Sequence, residues 1–65
     1  MNVNNFSEIL TFGKYQGKTI RWVFIHDPEY LEWIETKGLL TFSQKDLNRI
    51  AEAAIEQRIR QKQKM

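Results

Sequence analysis

The sequence predicts an α+β domain that is mostly helical, with a short N-terminal β-hairpin packed on two short helices and a longer C-terminal helix. Three observations lead there. Gly13 and Gly17 interrupt a β-branched and aromatic stretch near the N-terminus, the pair Asp27-Pro28 opens a segment with apolar residues at helical spacing, and an Ala- and Glu-rich stretch fills the last third of the chain.

Residues 1–6 are rich in Asn and read as a flexible end. Glu8 to Phe12 suits a strand and stops at Gly13, so Ile9 to Thr19 reads as a hairpin whose loop carries Lys14, Tyr15 and Gln16 between the two glycines. Two strands alone are marginal in water, so the hairpin must lie on helices. The run Thr19 to Asp27 is ambiguous. Its β-branched content favours a strand, whereas Thr19 as an N-cap and the spacing of Ile20, Val23 and Phe24 favour a short helix. Asp27 as N-cap, Pro28 at the first helical position and Glu29 in the first turn start the next helix, which should run to about Lys37 with Gly38 as its left-handed stop. Tyr30, Leu31 and Ile34 face inward on it at helical spacing, with Trp33 a further candidate for that inward face. Ser43 followed by Asp46 resembles a capping box for the last helix, where Leu47, Ile50, Ala51 and Ala54 form one stripe and Ile55 and Ile59 a neighbouring one. Beyond Ile59 the chain has no apolar anchor before Met65, so 60–65 should fray. There is no internal repeat and no linker; residues 1–65 form one domain.

At 65 residues the chain is near the lower limit for unaided folding, since such a domain buries only about 60% of the surface exposed when unfolded. It has no cysteine and one histidine, which excludes disulfide staples and a zinc site and leaves no cofactor to expect. Four Phe, two Trp and two Tyr supply large packing units, and a 42% hydrophobic fraction at a net charge of +2 is too apolar for a disordered chain. The apolar run Trp22 to Ile25 is far short of the roughly 20 residues a membrane span needs, and no leader pattern precedes it, so a cytoplasmic, non-membrane protein is expected. Charge is segregated. Asp27, Glu29, Glu32 and Glu35 form an acidic block, while Lys14, Lys18 and Arg21 cluster around the glycines and Arg58, Arg60, Lys62 and Lys64 crowd the C-terminus.

Catalysis needs several convergent groups, and the inventory is thin. His26 beside Asp27 could orient a general base, but adjacent residues at a helix end point apart, and a histidine there is favoured by the helix dipole. The acids at spacings of three share a helical stripe, the usual arrangement of a solvated face and not of a metal site. The segment Phe12-Gly13-Lys14-Tyr15-Gln16-Gly17-Lys18-Thr19 has the composition of a phosphate-binding loop without its spacing: three residues separate the glycines where the nucleoside-triphosphate signature needs four. Two readings remain: a backbone-phosphate contact with Tyr15 available for stacking, or an ordinary turn whose lysines keep it soluble. Trp22 and Trp33 likewise read as core or, if exposed, as interface anchors.

The stretch FGKYQGKTI and the later DPEYLEWI resemble the small C-terminal domain of exodeoxyribonuclease X-like exonucleases, found also in stand-alone bacterial and phage proteins described as quorum-sensing-regulated virulence factors. The shared pattern falls on Phe12, Gly13, Lys14, Gly17, Lys18, Asp27, Pro28, Tyr30, Leu31 and Trp33, and covers roughly residues 10–36. The resemblance implies a hairpin followed by short helices, which favours helix for Thr19 to His26. It implies an accessory role in DNA processing without nuclease activity, because the catalytic domain of such enzymes is separate. Where the family more often carries a polar, acidic stretch, this chain has Arg21-Trp22-Val23-Phe24-Ile25, which points to an extra apolar surface.

The leading expectation is therefore a non-enzymatic nucleic-acid-binding module. Lys14, Lys18 and Arg21 would meet phosphates of single- or double-stranded DNA, Tyr15 or Trp22 would stack, and Arg58, Arg60, Lys62 and Lys64 would add electrostatic affinity. The alternative is a module or phage-type inhibitor that binds a protein, such as a nucleic-acid-processing enzyme, through Trp22, Phe24, Ile55 and Ile59. A homo-oligomer is compatible with either. Burial of Trp22 would favour the first, and its exposure in an apolar patch the second.

Overall fold

Thr19 decides the architecture of the N-terminal half. Its extended backbone (φ −70°, ψ 154°) and its hydroxyl, which accepts from the Trp22 amide at 3.0 Å, start a helix at the residue where the expected hairpin would end. The computed structural model describes residues 3–63, with side chains through Arg60. It contains three helices: α1 (Ile20–His26), α2 (Pro28–Thr36) and α3 (Gln44–Gln63).

The expected β-hairpin is not there. Among the described residues there is no strand, only an isolated antiparallel bridge between Ile9 and Thr19. The physical reason is competition for backbone groups. The first amides of a helix have no partner within it, and here Ile20 and Arg21 donate to the carbonyls of Glu8 and Phe6, each at 2.8 Å. The segment that would have formed strand one thus satisfies the N-terminus of α1. Phe6, assigned to the flexible end by the sequence, is a core residue, and Asn4 is tied by its side chain to the Thr41 amide at 2.9 Å.

The helix ends are mostly those expected. Gly38 (φ 79°) closes α2 in a Schellman motif, with its own amide on the Glu35 carbonyl at 2.9 Å and that of Leu39 on the Ile34 carbonyl at 3.0 Å. The Ser43 hydroxyl accepts from the Asp46 amide at 3.3 Å to start α3, which continues four residues past Ile59 to Gln63. The core is built where α2 packs on α1 and α3. Leu31 and Ile34 of α2 meet Ile20 and Val23 of α1 and Ile50 of α3, with Phe6, Leu10 and Phe42 closing the edges. Burying one such aliphatic side chain stabilises by about 1.5–3 kcal/mol, against about 1 kcal/mol for a typical hydrogen bond. The inward face of α2 therefore organises the fold. The run Trp22 to Ile25 is mostly part of this packing: Val23 is fully buried, Trp22 and Phe24 pack against the core, and only Ile25 stands out, at 67% exposure. No described helix is long and apolar enough to cross a membrane.

Candidate functional site

Between Leu10 and Thr19 the chain makes two successive turns, with Gln16 N–H on the Gly13 carbonyl (3.2 Å) and Lys18 N–H on that of Tyr15 (3.0 Å). The base is closed by Leu10 N–H to the Lys18 carbonyl and Gly17 N–H to the Leu10 carbonyl, both 2.9 Å. Gly13 has φ 81°, and a Cβ there would overlap the hydroxyl oxygen of Tyr30. The loop therefore lies directly on α2, and glycine is needed both for the dihedral and for the approach.

What clamps it is Asp27. The sequence assigns this residue to capping α2, yet its side chain makes no capping hydrogen bond. The cap comes instead from α3: Gln57 Oε1 accepts from the Glu29 amide at 3.1 Å, while Gln57 Nε2 donates to Asp27 Oδ1 at 3.3 Å. Relieved of its own helix, Asp27 accepts through Oδ2 from the Tyr15 hydroxyl at 2.8 Å, with Lys14 Nζ at 3.8 Å. The Tyr15 hydroxyl is pushed above the usual tyrosine range. The hydrogen bond to Asp27 is the main cause, since it requires the protonated phenol; burial and the nearby Asp27 charge add to it.

Tyr15 is also the middle of a ribbon of five rings. His26 stacks on Trp22 (centroids 4.0 Å apart, planes 17°), Trp22 meets Tyr15 at 5.5 Å, Tyr15 meets Tyr30 edge-on at 5.0 Å, and Tyr30 stacks on Trp33 at 5.9 Å. Three ammonium groups stand over it: Lys14 lies 5.2 and 5.6 Å from the Tyr15 and Tyr30 centroids, Lys18 is 5.0 Å from Trp22, and Lys37 is 5.8 Å from Trp33. Helical spacing produces most of this, since 22 and 26 share a face of α1 while 30, 33 and 37 share a face of α2 and its cap. His26 is turned into the ribbon by its Nδ1, 2.8 Å from the Trp22 carbonyl, and not toward a catalytic partnership with Asp27.

Lys14, Tyr15, Lys18 and Trp22 are thus brought together, while Arg21 is exposed on α1, one residue before Trp22. Among the described residues Lys18, Arg21 and Lys37 have no carboxylate within 4.0 Å. The C-terminal basic residues are placed differently. Arg58 reaches back to Glu29 (3.6 Å) and Glu32 (3.8 Å), and Arg60 pairs with Glu56 at 3.8 Å. The side chain of Lys62, and Lys64 altogether, lie outside the described residues. Of the alternative patch, Phe24 packs on Phe6 with centroids 4.9 Å apart, while Ile55 and Ile59 stand half-exposed on α3. The sequence reading missed His26, Trp33 and Lys37 as parts of one face, and missed Gln57 as the cap.

Fold and face together define a small helical module in which a glycine-lysine loop is clamped against an aromatic ribbon. Residues 10–35 match the family model described as exodeoxyribonuclease X-like C-terminal, so this part of the chain carries that domain's pattern and the resemblance read from the sequence holds. The match takes in the loop, α1 and nearly all of α2, and leaves α3 outside it. No curated protein and no solved structure matches the chain.

Proposed function

We propose that the protein is a non-catalytic nucleic-acid-binding accessory module in DNA processing, with the Gly13–Lys18 loop as its phosphate contact. The observation that carries this reading is the placing of Lys14 and Lys18 over aromatic rings on a clamped, exposed loop. Cationic groups beside flat rings suit a ligand that is anionic along its backbone and planar at its bases. Trp22 supports it as well, since the ring is flanked by Lys18 and His26 and is not the centre of a bare apolar patch. The family match supports the setting. Lys14, Arg58 and Arg60 each have a carboxylate partner, whereas Lys18 and Arg21 have none within 4.0 Å among the described residues, which makes these two the readiest phosphate contacts.

The test is fluorescence anisotropy with labelled DNA at about 50 and 200 mM salt, because each phosphate contact contributes about 0.7–0.9 to the slope of log K against log salt. The Lys14→Ala, Lys18→Ala double variant should bind more weakly, with its slope shallower by one to two contacts. Absence of binding at low salt would reject the reading. It would favour a protein-interaction module, for which the exposed Ile25, Ile55 and Ile59 are the specific observation.

A further inference from the structure

We propose that the ligand of this face is an unpaired nucleic-acid strand, and that Trp33 with Lys37 forms a second anchor for it; this rests on the reading of the loop given above. The three central rings of the ribbon are committed to the fold. Tyr15 is clamped by Asp27, and Tyr15, Trp22 and Tyr30 all pack against the core. The end rings differ. His26 is exposed, and Trp33 is 51% exposed, the largest apolar side chain left facing solvent. An indole so exposed in a chain this short forgoes burial that a small core could use. Its one aromatic neighbour is Tyr30, with ring centroids 5.9 Å apart.

Lysines stand over rings on both helices, Lys18 over Trp22 of α1 and Lys37 over Trp33 of α2, but Trp22 is packed on the core and covered by His26. Trp33 is the ring that offers a stacking surface with a phosphate partner beside it. Acids on α2 would repel a strand laid there, but Arg58 of α3 engages Glu29, one turn before Trp33, and Glu32 next to it. A base can lie on Trp33 only if its own face is free. Paired strands hide those faces inside the stack, whereas unpaired DNA or RNA presents them.

The experiment titrates the full chain with oligothymidylate, oligouridylate and a DNA duplex, each of about 15 nucleotides or base pairs, at low salt. It reads anisotropy together with tryptophan fluorescence. Single strands should bind at least tenfold more tightly than duplex and quench the tryptophans, and the two single-stranded arms separate DNA from RNA. Trp33→Ala should lose roughly 5- to 100-fold in single-strand affinity, Trp33→Phe should restore most of it, and Lys37→Ala should lessen the salt slope by about one contact. Because Trp33 is exposed, the variants should melt close to the parent chain, which circular dichroism checks. Duplex binding at least as tight as single-strand binding, or single-strand affinity unchanged in Trp33→Ala, would overturn the inference while a response to Lys14→Ala, Lys18→Ala kept the loop reading alive. No binding to any of the three nucleic acids would overturn both.

Discussion

Replacing Gly13 by alanine should be the most damaging single-methyl change in the N-terminal half. Two costs combine. The backbone sits at φ 81°, where an L-residue costs about 1–2 kcal/mol. In addition the new Cβ would overlap the Tyr30 hydroxyl, which must move and disturb the edge-on Tyr15–Tyr30 contact. Displacing a packed aromatic adds about 1 kcal/mol. Gly17 is the internal control, with φ 91° and nothing within 4 Å of an added Cβ, so Gly17→Ala carries the backbone cost alone. The expectation is about 2–3 kcal/mol for Gly13→Ala against about 1–2 for Gly17→Ala. In a domain of this size that corresponds to melting points lower by about 8–24 °C and 4–16 °C. Thermal and urea unfolding followed by far-ultraviolet circular dichroism measures both. Tyr30→Phe removes the overlapping oxygen, so the double variant Gly13→Ala, Tyr30→Phe should recover part of the difference as a coupling energy. Equal effects of the two glycine substitutions, with no coupling to Tyr30→Phe, would refute the close docking of the loop on α2.

Two further outcomes test the clamp. Tyr15→Phe deletes the hydroxyl that donates to Asp27 and should cost about 1 kcal/mol near neutral pH. Its pH dependence carries a sign. The folded phenol titrates above the unfolded one, so Tyr15 keeps its proton in the native state over a window where the unfolded chain releases it. Its contribution is therefore complete below about pH 10 and is lost as pH rises through the raised folded value, so the stability gap between parent and Tyr15→Phe should narrow in alkaline unfolding titrations. Gln57→Ala strips the Glu29 amide of its acceptor and Asp27 of a donor, and should destabilise by about 1–2 kcal/mol. Gln57→Glu keeps an acceptor for the amide but sets a carboxylate against Asp27, so chemical denaturation should show it below the parent too.

Much of the fold was legible because it is written in short-range signals. Thr19, Pro28, Gly38 and Ser43 each act on amides or carbonyls within a few residues, and each marks a helix end in the structure. The hairpin was misread because strand propensity in Glu8 to Phe12 is a local quantity, whereas the hydrogen bonds from Ile20 and Arg21 to the carbonyls of Glu8 and Phe6 depend on a chain reversal that propensity does not register. The cap of α2 was misread for the same kind of reason. Asp27 is a favoured capping residue by type, but Gln57 lies 30 residues downstream and no spacing rule connects them. The loop lysines and tyrosine were visible as a motif. That Trp33 and Lys37 share their face followed only once α2 was seen beside the loop.

The exchange between Asp27 and Gln57 also limits how function can be separated from stability. Tyr15 orders the loop through Asp27, joins Trp22 to Tyr30, and carries one of the rings over which Lys14 sits. Any substitution there changes the fold and the proposed contact surface together, so weaker binding in Tyr15→Ala would not distinguish a lost stacking ring from a displaced loop. Lys18, Trp33 and Lys37 are different, since all are exposed and none belongs to the core. A ligand that follows the ribbon must respond to substitutions at both of its ends while stability stays constant. A ligand held only by net charge would respond to Lys18 and Lys37 but be indifferent to Trp33, because removing an indole leaves the charge of the face unaltered.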